Sequence, residues 1–226
     1  MSRYSSAYRG CRERMTEIVT RLAPGELERR VPACPEWSVK DLLAHVIGVA
    51  ADFAAGNLEK AGADEWTRAQ IASRSDIEVP DLVHEWETIS LQVEPVQDLI
   101  SPGAAGMLIG DAVTHEHDLR GAVGRPGARD SDAVWIALDR YVRRFGKRIK
   151  DAGLPSVVVQ AGDRRWQAGV LDPEVELDGA AFQLLRALTG RRTIGEITSL
   201  PWTGDPGPYT ELFSSYPPAR GSLLEN

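Results

Sequence analysis

The sequence has little cysteine and no excess of positive charge. Its two cysteines, Cys11 and Cys34, are too few for a disulfide framework and do not form a paired-thiol redox motif. Acidic residues outnumber basic ones by 33 to 26, which gives a net charge of −7, and no long basic run is present. We therefore expect no nucleic-acid partner, because such a partner is held mainly through its phosphates.

Long apolar runs are also missing. None reaches the roughly 18 residues that a membrane-spanning helix needs. The opening stretch has charged residues but no apolar segment behind them that could act as a signal peptide. These absences predict a cytoplasmic protein without a membrane partner.

Apolar side chains recur at helical spacing through the first two thirds of the chain, which predicts a helical bundle. Ser38, followed by Asp41, is a helix N-cap pattern, and Ser101-Pro102 is another. The predicted helices cover about 5–23, 38–56, 82–100, 101–124 and 134–149, with a short one near Trp66. Between the first two, 31–37 is predicted to be extended or turned because it contains two prolines.

The character of the sequence changes after Gly153. A β-branched run over 155–160 predicts a strand, and 166–170 could pair with it as a hairpin. A short helix is expected over 177–188, and the tail from Pro201 is predicted to be surface loop or partly disordered. The fold class is therefore α+β and mostly α, with a helical bundle in residues 1–150 and a small α/β domain in 151–226.

Ionisable residues interrupt two of the apolar stripes. Asp111 and His115 are four apart and leave one face of their helix, and His45 occupies an inward position on another helix. A buried carboxylate and two imidazoles need compensation, which a divalent cation such as zinc could supply. A hydrogen-bonded polar network without an ion is the alternative, and spacing alone does not decide between them.

Two segments resemble the mycothiol-dependent maleylpyruvate isomerase family, whose members are DinB-like metal-binding four-helix bundles. The first segment is VPACPEWSVKDLLAHVIGVAADF and the second is GDAVTHEHDLRGAVG. The run LLRALTGRRT resembles the second, smaller α/β domain of the family. The resemblance therefore spans most of the chain. The elements of the first signature here are Pro32, Cys34, Pro35, Trp37, Ser38, Asp41, Leu42, Leu43 and His45.

The resemblance implies a site and a chemistry. Its metal ligands would be His45, Asp111 and His115, with zinc as the usual ion, although the family commonly has Glu at the position of Asp111. The cofactor would be mycothiol, a small-molecule thiol, and its thiolate would attack an electrophilic substrate. The reaction would be an isomerisation or a transfer of sulfur to the electrophile, and hydrolysis by a metal-activated water is a further alternative.

Residues near the end of the chain are weaker candidates. Arg191 could reach over the mouth of the bundle and hold a carboxylate of the substrate or cofactor, which would give it a catalytic or cofactor-binding role. Trp202 could line the same mouth. The alternative for Arg191 is that it complements a helix C-terminus. Asp118 could orient a ligand, or could pair with Arg120 on the helix surface.

The remaining histidines and cysteines have simpler interpretations. His117 is expected in solvent or beside a ligand, and His84 is expected to be exposed. Cys11 lies on an apolar stripe, and Cys34 is interpreted as structural. Besides an enzyme, the sequence allows a non-catalytic metal- or small-molecule-binding protein on the same bundle. It leaves the electrophile and the oligomeric state open.

Overall fold

A computed structural model describes residues 3–223, so the first two and last three residues of the predicted domains lie outside it. The chain divides into two compact units after Gly127. The first is helical and the second combines a sheet with helices, which confirms the predicted α+β, mostly α fold. Among the described residues, no helix is both long and apolar enough to cross a membrane.

Four long helices form the first unit. Helices α1 and α3 each pack against both α5 and α6. The elements of this unit are α1 (Arg3–Val19), α2 (Pro24–Leu27), β1 (Arg30–Val31), β2 (Cys34–Ser38), α3 (Val39–Ala55), α4 (Asp64–Ala72), α5 (Val79–Val96) and α6 (Pro102–Val123). The predicted bundle is confirmed for these helices. The predicted extended segment before α3 is also confirmed, since β1 and β2 pair there as an antiparallel ribbon.

Local capping signals set the ends of α3 and α6. Ser38 Oγ accepts from the Asp41 amide, and the Asp41 carboxylate accepts from the Ser38 amide, so both sides of the capping box form. Gly56 ends α3 and Gly124 ends α6, each in the left-handed conformation. Ser101 caps the start of α6. These boundaries confirm the sequence prediction.

The second unit is built on a four-stranded mixed sheet of order β4-β3-β5-β6. Strand β3 pairs with β4 as the predicted antiparallel hairpin and with β5 in parallel. The elements are α7 (Asp132–Asp151), β3 (Ser156–Ala161), β4 (Arg164–Ala168), β5 (Pro173–Asp178), α8 (Ala181–Leu188), α9 (Ile194–Thr198), β6 (Trp202–Thr203) and a 3₁₀ helix (Gly207–Leu212). Helix α7 packs on β3, β4 and α8.

The division after Gly127 differs from the predicted boundary after residue 150. The reason is α7, which the sequence assigns to the bundle but which belongs to the second unit. Its apolar side chains, among them Phe145, join the core of the sheet. Gly146 allows this approach, because a Cβ there would lie 2.8 Å from the backbone nitrogen of Gly169.

Two other expectations for this unit are wrong. Leu177 lies on strand β5 rather than on a helix, because Val175 and Leu177 alternate inward with period two. The tail after Pro201 is not merely surface loop: Tyr209 and Phe213 are buried in the core of the unit. Phe213 packs 4.7 Å from the ring of Phe145.

Candidate metal site

Three ionisable side chains converge inside the first unit. His45 extends from α3, while Asp111 and His115 extend from one face of α6. Asp111 Oδ1 lies 3.5 Å from His45 Nε2 and 3.6 Å from His115 Nε2. One candidate ligand atom from each residue lies within 4.8 Å of the other two. The three residues predicted as ligands therefore meet, while their binding of a metal stays a prediction.

The spacing of these atoms suits a small divalent cation. Zinc binds imidazole nitrogen and carboxylate oxygen at about 2.0 to 2.2 Å, so neighbouring ligands of a tetrahedral ion lie about 3.4 Å apart. The contacts of Asp111 with the two imidazoles are only slightly longer. The aspartate, although one methylene shorter than glutamate, therefore reaches both histidines.

The outer nitrogen of His45 contacts an amide. His45 Nδ1 lies 2.9 Å from Oε1 of Gln70, a buried residue on α4. Gln70 Nε2 in turn donates to Asp52 Oδ2 at 2.6 Å. The imidazole therefore has an acceptor behind it and directs Nε2 toward Asp111, an arrangement that is common for metal-binding histidines.

The outer nitrogen of His115 contacts a carboxylate. His115 Nδ1 lies 3.0 Å from Asp118 Oδ2, and the Cys34 thiol donates to the same oxygen at 3.9 Å. This is the contact that the orienting interpretation of Asp118 predicts, and Arg120 pairs with Glu116 instead. Burial lowers the pKa of His115 below its usual value, against the opposing effects of Asp111 and Asp118. The imidazole is therefore neutral near pH 7, the form that binds metals.

The indole of Trp37 packs against both histidines. Its ring centroid lies 4.9 Å from that of His45 and 5.7 Å from that of His115. Trp37 comes from β2, so the ribbon before α3 supplies an apolar wall for the site. Among the three candidate ligands, Asp111 is the most accessible, with 24% of its side chain exposed. A small molecule would reach the site from the Asp111 side.

The other histidines lie apart from this arrangement. His84 is exposed, as predicted. His117 is only 3% exposed, so the expectation that it faces solvent is wrong. It follows Glu116 directly on α6, and its charge helps to lower the pKa of that carboxyl. Cys11 is fully buried, as its position on an apolar stripe predicts.

Comparison with known families finds a match for part of the first unit. Residues 8–94 match the family model described as the mycothiol maleylpyruvate isomerase N-terminal domain. The resemblance to this family that was predicted from the sequence is confirmed over these residues. The matched segment includes His45, Trp37 and Gln70 and ends before Asp111 and His115. No curated protein is similar enough in sequence to be matched.

Solved structures extend the likeness of fold beyond residues 8–94. The chain is similar to a crystal structure of the mycothiol-dependent maleylpyruvate isomerase, with a TM-score of 0.57 and 14% identity. It is also similar to a histidine-to-alanine mutant of that enzyme, with a TM-score of 0.55 and 13% identity. Each match covers 84% of this chain and 90% of the other. At this identity, the likeness shows the fold.

The predicted site residues near the end of the chain have local contacts in the second unit. The Arg191 guanidinium donates to the Thr189 carbonyl just after α8, a contact of the kind that the alternative of a complemented helix C-terminus describes. Trp202 donates to the Ile197 carbonyl and packs 5.6 Å from the ring of Phe213. Roles for Arg191 and Trp202 in catalysis or cofactor binding stay predictions.

Sequence reasoning missed Gln70 and the position of Trp37. Gln70 lies on a short polar helix, and nothing in its neighbourhood marks it as buried. One signal was present on α3, where His45, Gly48 and Asp52 are spaced by three and four and so share a face. A glycine between two polar residues on one face indicates that another element approaches closely there.

Proposed function

We propose that this protein is a zinc-dependent, mycothiol-using isomerase or thiol transferase that acts on an electrophilic small molecule. The observation that carries the proposal is the convergence of two imidazole Nε2 atoms and one carboxylate oxygen, with an oxygen of Gln70 or Asp118 within 3.0 Å of each Nδ1 atom. The family match over residues 8–94 supports the choice of thiol. This donor set fits a cation that retains a coordination position for a further ligand.

The residues divide the work of the site. His45, Asp111 and His115 would hold the ion. A bound ion would lower the pKa of a thiol and so make a thiolate nucleophile available at neutral pH. Trp37 excludes water from one side of the imidazoles and leaves the Asp111 side for the thiol and the electrophile. The neutral state of His115 favours binding of a cation over binding of a proton.

The two reaction types differ in the fate of the sulfur. In an isomerisation, the sulfur–carbon bond forms and then breaks, so that the thiol is recovered. In a transfer, the bond persists and the product keeps the sulfur. Mass spectrometry of the product therefore distinguishes them, and no additional oxidant or reductant is needed for either.

We expect His45→Ala to abolish mycothiol-dependent turnover while the helical content is retained. The assay uses zinc-loaded protein with mycothiol and maleylpyruvate, the electrophile named for the structural relative, and then other activated alkenes. His84→Ala is the matched control, because it removes an exposed imidazole elsewhere on the first unit, and it should keep the wild-type rate.

Wild-type turnover in His45→Ala would contradict the proposed mechanism. A wild-type protein that binds zinc and mycothiol but converts no electrophile would instead indicate a binding protein on the same bundle. Circular dichroism of each variant separates a loss of chemistry from a loss of folding.

A further inference from the structure

We infer that Gln70 is a positioning residue that holds His45 in the tautomer with the proton on Nδ1, which leaves the Nε2 lone pair available as a metal ligand. The tautomer itself follows from the protein alone. Its importance for zinc binding rests on the proposed function.

The direction of the Gln70 amide is fixed by a charge. Asp52 Oδ2 lies 2.6 Å from one end of the amide, and a carboxylate can only accept, so that end must be the NH₂ group. The other Asp52 oxygen accepts from Asn57 Nδ2 at 2.8 Å, which holds the carboxylate in place. A flipped amide would direct oxygen against oxygen and lose the contact.

The fixed amide then determines the tautomer of His45. Its oxygen, Oε1, lies 2.9 Å from His45 Nδ1, and an amide oxygen has no proton to donate. His45 Nδ1 must therefore carry the proton. In a neutral imidazole the other nitrogen is then a lone-pair acceptor, and this atom, Nε2, is the one 3.5 Å from Asp111.

The packing of α4 shows that this contact is built into the bundle. Helix α4 is described in full, and Gln70 is its one buried residue. A helix that buries an amide rather than an apolar side chain gains little from the hydrophobic effect, and the amide must be hydrogen-bonded to avoid a penalty. At Gly48, an added Cβ would lie 2.5 Å from Gln70 Cβ, so the glycine is what permits the approach.

The two histidines are thus oriented by different chemistry. A carboxylate, Asp118 Oδ2, lies 3.0 Å from His115 Nδ1. The partner of His45 is instead a neutral amide, and the orientation of the Gln70 amide is set by its hydrogen bond to Asp52. Three residues on two helices, Gln70, Asp52 and Gly48, therefore act on one imidazole without touching the candidate metal position.

The test compares wild type with Gln70→Met, which keeps the approximate volume and removes the amide. Gln97→Met is the matched control, because Gln97 is buried on the same unit but its amide bonds to the Val93 carbonyl of its own turn. The first readout is the His45 tautomer in metal-free protein, from long-range ¹H–¹⁵N correlation at a pH where the imidazole is neutral. The second is zinc affinity by competition with a chelator.

We expect His45 to be protonated on Nδ1 in wild type and in Gln97→Met, and to become a mixture of tautomers in Gln70→Met. The zinc Kd of Gln70→Met should rise by about 10- to 100-fold, as is usual when the partner of a metal-binding histidine is lost. A role confined to packing would lower the melting temperature without moving either readout.

If Gln70→Met does not fold, Asp52→Asn serves instead. It leaves the His45–Gln70 contact in place but no longer dictates the direction of the amide, so the Nδ1–H tautomer should lose its dominance. An unchanged tautomer or an unchanged zinc Kd in the folded variant would overturn the inference. A wild-type protein that binds no zinc would overturn the proposed function, while the tautomer measurement would still decide the role of Gln70.

Discussion

Gly48 lies one turn after His45 on α3, where α4 crosses this helix. A Cβ at this position would lie 2.5 and 2.6 Å from Gln70 Cβ and Cγ, well inside van der Waals contact. The position of Gln70 Cβ is fixed by the α4 backbone, so a rotamer change cannot relieve the overlap with this atom. Strain at Gly48 would therefore be transmitted to the His45–Gln70 hydrogen bond.

We expect Gly48→Ala to lower the free energy of unfolding by about 1 to 3 kcal/mol, the usual cost of overpacking a buried contact. It should also weaken zinc binding, because α4 must move away from His45. Denaturant unfolding and chelator competition measure the two effects. The control is Gly103→Ala in the first turn of α6, where an added Cβ would lie 3.9 Å from Ser101 Oγ.

Gly103→Ala should be neutral or slightly stabilising, because alanine has the higher helix propensity. A Gly48→Ala variant that matches it in stability and zinc affinity would show that α4 can shift without loss. The role given to Gly48 would then be wrong.

The residues of the site differed in how far they could be predicted. His45, Asp111 and His115 were identifiable because each is a polar residue on an apolar stripe, and burying such a residue needs a reason. Gln70 and Trp37 were not placed, because each reaches His45 from a separate element whose position depends on tertiary packing. The contact between Gly48 and Gln70 joins helices that sequence spacing cannot relate.

At the level of elements, a buried ion pair joins α1 to α6. Arg14 donates two hydrogen bonds of 2.7 Å to the two oxygens of Glu116, and Arg120 donates to one of them at 3.0 Å. The Glu116 side chain is fully buried. Burial alone would raise the pKa of Glu116, but Arg14, His117 and Arg120 together hold it below its usual value. Glu116 is therefore charged at neutral pH.

We expect Glu116→Gln to destabilise the protein by about 2 to 3 kcal/mol at pH 7, somewhat less than a fully buried pair because the Arg14 side chain is 30% exposed. The native pKa is depressed, so this stabilisation is present above the unfolded pKa near 4.5 and lost as the pH falls through the native value. The measurement is urea unfolding of both proteins as a function of pH.

The difference in unfolding free energy between wild type and Glu116→Gln should begin to shrink as the pH falls below 4.5, because the unfolded chain then takes up a proton at Glu116. It should be smallest below the lower native pKa, where Glu116 is neutral in the folded protein as well. A difference that stays constant down to acid pH would show that the charge of Glu116 contributes nothing. The matched change Glu87→Gln, at an exposed position of α5, should leave stability nearly unchanged at every pH.

Nearby residues determine where a helix or strand begins and ends, but they do not determine which other element it packs against or pairs with. The Ser38–Asp41 capping box and the Ser101–Gly124 helix were readable because capping involves residues three or four apart. Leu177 was assigned to a helix because its spacing to Ala181, Leu184 and Leu188 also fits a helical stripe. Its pairing with β3 decided for a strand, and that partner lies 18 residues away in the chain.

At the scale of the whole molecule, the chain forms two units, and their boundary differs from the one predicted from the sequence. The sequence placed the division where β-branched residues begin, yet α7 already belongs to the second unit because its apolar face covers the sheet. The apolar side chains of a helix recur with the same period whether the helix packs in a bundle or against a sheet. The fold class could therefore be predicted from the sequence, whereas the boundary between the two units depends on tertiary packing.

We also expect the stability of the first unit to depend on a bound metal ion. Two imidazoles and a carboxylate are costly to bury without compensation, and a ligand that binds only the folded state stabilises it by about 4 kcal/mol at 1,000 times its Kd. We expect a chelator to lower the melting temperature of zinc-loaded wild type. Asp111→Asn, which weakens the donor set, should melt at nearly the same temperature with and without the chelator.

The central claim is that His45, Asp111 and His115 hold a metal ion, and elemental analysis of the tag-free protein tests it most directly. Wild type and His115→Ala are purified in parallel, supplied with zinc and dialysed. About one equivalent of zinc in wild type and little in His115→Ala is the expected result for a three-residue site. Absence of zinc from wild type, or equal zinc in both proteins, would contradict the account.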